Sequence, residues 1–298
     1  MGKKDLASKV FFRNPRNFAS ICNGVLFSGE DVIVTTELLD DETENIDFKS
    51  NTDTYLDVSK RWNRGNASIC LLALEEQSKI DYAMVVRNLL KEALVYSKQV
   101  KDKREKHHDL KDLCDDEYLS GFSKDDYLIP VITIVVYLGD KKWDAKTELI
   151  EMLHVDKRLK SYINNFKITV YDYHDYDDFS AFNKDIQMLF NMLKAKNDEK
   201  SMMDVLRTKQ YISLELAQAF EQLLGIKYSR KHFVTTNEGK CIEVCKAWDD
   251  HYNSGIKEGE KKGIMNTLVD LVKDGIIDTN IAASKAGMSI KEFEALCK

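Results

Sequence analysis

Two strand-length runs of almost unbroken apolar residues constrain the fold of this chain more than any other feature. Residues 67–76 read ASICLLALEE, apolar until the run ends in two acids, and residues 131–138, which follow Pro130, read VITIVVYL. A strand with one face in water alternates apolar and polar side chains, whereas a strand covered on both faces does not. Both runs therefore predict interior strands of a sheet that has helices on its faces.

Weaker patterns supply the other elements of this sheet and its helices. Segments rich in β-branched or alternating residues, typical of strands, are found at residues 31–36, 53–60 and 165–173. Segments with apolar residues at helical spacing are found at residues 5–23, interrupted near Pro15, and at 80–105 and 179–196. Residues 109–127 show neither pattern and are predicted to be an acidic loop. The expected fold class is α/β in the broad (α+β) sense, a mixed sheet flanked by helices.

The C-terminal third of the chain has a different pattern. From residue 198 onward it is helical, most clearly at residues 202–225 and 239–274. We therefore predict two domains: residues 1–197, which hold the sheet, and residues 198–298, a helical C-terminal region. One interpretation of residues 268–296 is a helix-turn-helix, but Lys273, Lys285 and Lys291 are few cations for binding phosphate.

Composition and charge limit the classes of protein. The longest strongly apolar run, residues 131–138, is far shorter than the roughly 20 residues of a membrane helix. No apolar stretch of the signal-peptide type precedes Asn14, so we expect a cytoplasmic protein without a membrane partner. The net charge of −6 gives no overall basic footprint for DNA. Cations are concentrated in residues 1–20 and 98–111, on either side of eight acidic residues in 37–57.

Three residues at the ends of neighbouring predicted strands are candidates for chemistry. Asp57 lies in the segment 53–60, and Glu75 and Gln77 lie at the end of the third strand-like segment. Turn residues between the two segments predict a hairpin whose strands lie about 5 Å apart, so Asp57 can lie near Glu75. Glu75 and Gln77 are two positions apart and share one face of a strand. From spacing alone, ordinary polarity at a sheet edge fits this pattern as well.

Such a cluster suits a divalent cation. The carboxylates of Asp57 and Glu75 and the backbone carbonyl of Glu76 are hard oxygen ligands for Mg²⁺ or Mn²⁺, with water and a substrate phosphate as further ligands. A metal ion polarises a phosphate and lowers the pKa of a bound water. Gln77 stands where a lysine commonly orients that water; it can hydrogen-bond there but brings no positive charge.

Longer stretches around these residues resemble a known family. The stretches are KDLASKVFFRNPRNFASICNGVLFSGE near the N-terminus, LDVSK, LLALEEQSKIDYAMVVRNLLKEALVYSKQ and PVITIVVYLGDKKWDAKTEL. Together they cover roughly residues 3–195, and they resemble the bacterial PD-(D/E)XK nuclease family transposases, which are related to the recombination-promoting nucleases.

The resemblance implies a restriction-endonuclease-like core and Mg²⁺-dependent cleavage of DNA, in a role connected to mobile elements or recombination. Asp57 matches the aspartate of the family motif and Glu75 its glutamate. Gln77 takes the place of the usual lysine, as in the E-x-Q variant of the family. DNA is therefore the expected partner, and a homo-oligomer is a further expectation because nucleases that cut both strands often work as dimers.

Two lesser candidates and one alternative function remain open. Asp5 resembles the acid of the first helix that assists the metal in related folds, but an ordinary helix charge fits it too. Arg87, one turn into the predicted helix after the motif, either contacts phosphate or pairs with an acid. Because Gln77 replaces lysine and the net charge is negative, a catalytically degenerate nuclease fold that binds DNA or protein is the alternative function.

Overall fold

The computed structural model describes residues 7–40, 56–74, 80–110, 113–226, 228, 232–236 and 239–297. The chain divides into two compact units, residues 1–225 and 226–298. The predicted domain boundary after residue 197 stays a prediction; the compact first unit continues to Gly225.

A five-stranded mixed sheet forms the centre of the first unit. Its strands lie in the order β1-β2-β3-β4-β5, with β1, β2 and β3 antiparallel and β3, β4 and β5 parallel. The strands are β1 (Leu38–Asp40), β2 (Leu56–Trp62), β3 (Ala67–Leu74), β4 (Val131–Tyr137) and β5 (Thr169–Asp172). The two apolar runs are β3 and β4, adjacent in the middle of the sheet, as their composition predicts.

Helices cover both faces of this sheet, which confirms the predicted mixed sheet with flanking helices. The helices of the first unit are α1 (Ala7–Arg13), α2 (Pro15–Leu26), α3 (Met84–Leu110), α4 (Asp115–Ser120), α5 (Leu149–Met152), α6 (Lys184–Ala195), α7 (Glu199–Leu206) and α8 (Leu214–Leu224). A short strand, β6 (Tyr211–Ser213), precedes α8.

Alternation along the parallel strands divides their side chains between two helical layers. On one face, Val135 and Tyr137 of β4 form a buried cluster with Met84 and Val85 of α3. On the other face, the ring of Tyr171 in β5 lies 5.2 Å from the ring of Phe190 in α6. The sheet is therefore an interior layer between α3 and the helices that include α6.

The prediction of a strand at residues 31–36 is wrong. The side chain of Asn23 in α2 donates to the backbone carbonyl of Ile33 at 2.9 Å and accepts its backbone N–H at 2.8 Å. Both backbone groups of Ile33 are thus used by one amide and not by a neighbouring strand. The edge strand forms later, at β1, after a 3-10 turn at Thr35–Glu37.

The prediction of a loop for the whole of residues 109–127 is also wrong, because α3 continues to Leu110 and α4 follows. Gly121, with φ of 65°, ends α4 in a left-handed cap. Glu117 organises the next turn, since its carboxylate accepts from the Ser123 hydroxyl and the Lys124 N–H at 2.9 Å each. Local hydrogen bonds of this kind leave no hydrophobic period in the sequence.

The second unit is mainly helical, with one pair of strands. Strands β7 (Phe233–Thr236) and β8 (Gly239–Glu243) pair antiparallel and are followed by α9 (Val244–Lys273), α10 (Thr279–Ala286) and α11 (Ile290–Cys297). The helix predicted for residues 239–274 therefore begins only at Val244. Residues 239–243 include the buried, β-branched Ile242, which faces Phe233 in register.

The last three helices pack around a small core at the end of the chain. Its buried members are Leu268, Val269, Ala282, Ala283 and Phe293. Residues 268–297 carry five acidic residues against three lysines, so this arrangement of helices lacks the cationic surface of a DNA reader. The helix-turn-helix interpretation stays a prediction. Among the described residues, no helix is both long and apolar enough to cross a bilayer.

Candidate functional site

The carboxyl ends of three parallel strands meet at one edge of the sheet. Leu74 at the end of β3 is the register partner of Tyr137 at the end of β4, and Tyr137 is the partner of Asp172 at the end of β5. The antiparallel β2 starts at the same edge, with Leu56 opposite Ala73. We call this boundary the carboxyl edge. Open sheets with parallel strands bind ligands at such edges.

Asp57 lies at this edge, one residue after the start of β2, and its register partner in β3 is Leu72. The predicted hairpin of β2 and β3 is present. Glu75, the residue that follows the last residue of β3 in sequence, lies outside the described residues, as do Glu76, Gln77 and Asp5. Their predicted roles, and the closeness of the Asp57 and Glu75 carboxyl groups, therefore stay predictions.

The N-terminus of α3 places a charged pair beside the carboxyl edge. Arg87 donates from Nη1 to Oδ2 of Asp81 at 2.6 Å, and Asp81 Oδ1 accepts the backbone N–H of Ala83 at 2.8 Å. Asp81 thus caps the start of the helix and holds the guanidinium at the same time. Of the two roles predicted for Arg87, pairing with an acid is the one seen in the structure.

Asp172 closes the carboxyl edge at β5 through a set of buried hydrogen bonds. Its Oδ2 accepts the backbone N–H of Trp143 at 2.7 Å. Its Oδ1 accepts the backbone N–H of His174 at 3.0 Å and lies 2.6 Å from that residue's Nδ1. Only 3% of Asp172 is exposed. Both carboxylate oxygens have partners within the protein, so Asp172 fixes the turns that follow β4 and β5.

Negative charge surrounds the hydroxyl of Tyr137 between these turns. Burial and the nearby carboxylates of Asp172, Asp140 and Asp144 raise the pKa of Tyr137 to about 12. The hydroxyl of Tyr82 donates to Asp144 at 3.3 Å, and this hydrogen bond raises the pKa of Tyr82. Both tyrosines therefore stay protonated at neutral pH. They are donors at this edge and not nucleophiles.

The basic segment predicted beside the acidic one is partly neutralised within the protein. Asp126 lies 2.7 Å from both Lys103 Nζ and His107 Nε2. The hydrogen bond from Lys103, with smaller contributions from Ser123 and His107, lowers the pKa of Asp126 well below its usual range. Arg104 donates to the carbonyl of Ser120 at 2.9 Å. Lys103, Arg104 and His107 therefore hold α3 to the loop that follows α4.

Sequence reasoning missed Asp81 and Asp172 as residues of this edge. Each left a signal, since Asp81 precedes a helix at a capping position and Asp172 ends a β-branched strand that is parallel to its neighbour. Among the described residues, no group of three or more His, Cys, Asp or Glu side chains could hold a metal ion. The predicted ligands Glu75 and Glu76 lie outside the residues to which this statement applies.

Comparison with protein families matches residues 49–223 to the family described as "Putative transposase, YhgA-like". This segment covers more than half of the 298-residue chain, from before β2 to near the end of α8, and the chain belongs to this family. The family match confirms the predicted resemblance at the level of the transposase family. Neither the search of curated proteins nor that of solved structures found a match.

Proposed function

We propose that this protein is a divalent-metal-dependent DNA endonuclease, linked to mobile elements or recombination, that hydrolyses phosphodiester bonds at the carboxyl edge. The observation that carries the proposal is the hairpin register. It brings Asp57, at the start of β2, to the edge at which β3 ends immediately before the sequence Glu75-Glu76-Gln77. Membership of a transposase family supports a substrate of DNA.

The donors available at this edge fit Mg²⁺ or Mn²⁺ in their chemistry. Asp57, Glu75 and the Glu76 carbonyl offer hard oxygen atoms, and the two carboxylates offset the charge of a divalent cation. The neighbouring Asp172 already has three hydrogen-bond contacts within the protein, which makes it a poorer candidate for the ion than Asp57 and Glu75. When bound, the metal ion polarises the scissile phosphate and supplies a more acidic water.

The remaining groups at the edge bind and orient. The amide of Gln77 holds a water or a phosphate oxygen by hydrogen bonds without adding charge, which predicts slower cleavage than a lysine at this position gives. Asp81 fixes Arg87 in one direction at the start of α3.

The choice between two adjacent acids decides the geometry of the site. Asp57 and its register partner Leu72 lie on the same face of the hairpin. Because side chains two positions apart share a face, extending this pattern along the sequence from Leu72 favours Glu76 as the acid on the side of Asp57. The family motif leads to Glu75. We place the carboxylate ligand at Glu75 and the backbone ligand at Glu76, and single variants of each acid test that assignment.

The test is nicking of supercoiled plasmid in Mg²⁺ and in Mn²⁺ by the wild type and by Asp57→Asn, Glu75→Gln and Glu76→Gln. Loss of a direct ligand should slow cleavage by more than the roughly 10- to 100-fold that loss of a ligand's supporting hydrogen bond costs. We expect this for Asp57→Asn and Glu75→Gln, whereas Glu76→Gln should retain most of the activity because its backbone carbonyl is unchanged. Asp177→Asn, which alters an exposed carboxylate paired with Lys194, is the matched control.

Equal cleavage by the wild type and by the Asp57 and Glu75 variants would show that these two residues are not the metal ligands of the nuclease. Strong loss in Glu76→Gln with little loss in Glu75→Gln would move the ligand to Glu76. A wild type that binds the plasmid but cuts in neither metal would instead favour the degenerate DNA-binding fold.

A further inference from the structure

Along the first turns of α3 and the two residues before it, the charged side chains of Arg87, Lys91 and Glu92 are half-buried and none stands at a fully exposed position. From residue 82 to residue 97 the exposed side chains are all apolar or small and uncharged: Tyr82, Ala83, Val86, Leu90, Ala93, Leu94 and Ser97. Tyr82, Val86, Leu90 and Leu94 are exposed by 62%, 47%, 56% and 38%. At 1.5 Å per residue this face, which we call the α3 stripe, is about 22 Å long.

The same helix shows what an ordinary solvated face looks like in this protein. Beyond Ser97 the exposed residues of α3 include Lys101, Asp102, Arg104, Glu105 and Lys106. In a chain with 32% charged residues, four turns without an exposed charge are unusual. Large apolar side chains that stand together on a surface mark a place where another surface binds.

An exposed charged side chain stands next to each end of the α3 stripe, an acid at one end and a lysine at the other. At its N-terminal end the exposed Asp144 accepts a hydrogen bond from Tyr82 at 3.3 Å. At its C-terminal end stands Lys101, whose side chain is 75% exposed and whose ion pair with Glu105, at 3.6 Å, is also on the surface. A partner that fits this face is apolar along its middle, basic at the end near Asp144 and acidic at the end near Lys101.

We propose that the partner is a second copy of this chain, bound through an antiparallel contact of α3 with its own twofold mate. A twofold axis makes a contact self-complementary only if each end of the surface attracts the other end. With the axis at Leu90, residue numbers that face each other add up to 180. Val86 then faces Leu94 of the partner subunit, and Tyr82 faces the partner subunit's Lys98. Asp144, which accepts from Tyr82, lies at the end of the contact that is approached by the partner subunit's Lys98 and by the partner subunit's Lys101, one turn further along the helix.

The sizes of the side chains agree with this arrangement. Ala83 faces Ser97 of the partner subunit, so small residues meet at both ends and let the two helices approach closely, while Leu90 packs on its own mate. DNA does not fit the stripe, because an uncharged face offers nothing to phosphates. The dimer goes beyond the nuclease proposal and does not depend on it.

The first experiment measures the oligomeric state by sedimentation equilibrium over a micromolar concentration series. We expect a wild-type dimer whose dissociation constant rises about tenfold or more in Leu90→Glu, which places two carboxylates against each other on the axis. The matched control is Leu119→Glu, because Leu119 of α4 is 87% exposed and lies outside the stripe. Glutamate is a good helix former and position 90 is exposed, so the Leu90→Glu variant should keep its fold, which circular dichroism checks.

The second experiment tests the antiparallel orientation by exchanging charges. Asp144→Lys and Lys101→Asp should each weaken the dimer, and the double variant should recover most of the lost affinity because both ion pairs are restored with reversed sign. A wild type that stays monomeric at every concentration would overturn the proposal. A dimer unaffected by Leu90→Glu, or a double variant no better than the single ones, would overturn it as well.

Discussion

The ring of Phe182 lies directly against Gly24 of α2, so close that a methyl group built on Gly24 would stand 2.1 Å from the ring. Phe182 cannot easily move away, because it is buried between the rings of Tyr171 and Phe190 at 5.2 and 5.4 Å. Gly24 does not end the first helical segment, since α2 continues to Leu26. Its missing side chain instead allows the loop before α6 to pack against α2.

Gly24→Ala should therefore destabilise the protein although alanine favours helix. Overpacking of a closed interface costs about 1–3 kcal/mol or more, which exceeds the gain of roughly 0.5–1 kcal/mol from helix propensity. Gly255→Ala in α9 is the matched control, since nothing lies within 4 Å of the added methyl group, and it should stabilise its helix. Urea denaturation measures both changes, and a stabilising Gly24→Ala would contradict this packing.

Two buried asparagines should respond in opposite directions to replacement by valine. Asn23 bonds both backbone groups of Ile33, so Asn23→Val leaves them without partners and should lower the free energy of unfolding by about 2–4 kcal/mol. In the described part of the chain neither amide atom of Asn88 has a partner, although the residue is only 2% exposed. Asn88→Val should therefore raise the free energy of unfolding, by about 1–2 kcal/mol.

The comparison is well matched, because both residues lie in helices and the substitution is the same. Thermal and urea unfolding of the two variants give the sign directly. If Asn88→Val were as destabilising as Asn23→Val, the amide of Asn88 would have a partner or a bound water that the hydrogen-bond pattern lacks.

Glu92 of α3 should make stability depend on pH in a defined direction. Burial raises the pKa of Glu92, and the hydrogen bond from Thr133 at 2.9 Å opposes this only in part. The folded state thus binds the proton more readily than the unfolded state. The contribution of Glu92 to the free energy of unfolding is therefore fully present below the ordinary pKa of glutamate, and it is lost as the pH rises through the raised pKa of the folded state.

Glu92→Gln removes this dependence while keeping an oxygen that accepts from Thr133. The variant should melt at a higher temperature than the wild type at pH 7 and show no such gain below the ordinary glutamate pKa. Glu148→Gln should do the reverse, because hydrogen bonds from Lys167 and Asn165 lower the pKa of Glu148. Melting curves at both pH values check the signs, and a gain for Glu92→Gln that is equal at both would contradict them.

The central part of the fold could be predicted because its cause is local composition. Strands β3 and β4 are apolar along nearly their whole length, and α3 shows a helical period. These three elements can therefore be predicted without knowing which distant residues they contact. The edge strand β1 could not be placed, because it depends on Asn23 occupying the backbone of Ile33, ten residues away. The strand at Gly239–Glu243 was hidden because a helix follows it without a break.

The candidate site was predictable only in its hairpin. The turn residues after Trp62 and the apolar run after Asn66 predict the pairing of β2 with β3, and the register confirms it. The bond from Trp143 to Asp172 joins residues 29 positions apart in two separate turns, and no sequence pattern links them. The pairing of Arg87 with Asp81 is one of the two roles predicted for Arg87, and the contact with phosphate stays a prediction.

The claim on which the functional account depends is that Asp57 and Glu75 share one divalent cation at the carboxyl edge. Electron paramagnetic resonance of free Mn²⁺, titrated against the protein without DNA, measures this binding apart from cleavage. We predict a wild-type site whose dissociation constant rises about tenfold or more in both Asp57→Asn and Glu75→Gln, and remains unchanged in the Asp177→Asn control. Mn²⁺ binding that is the same in the wild type and both site variants, or absent from the wild type, would contradict the account.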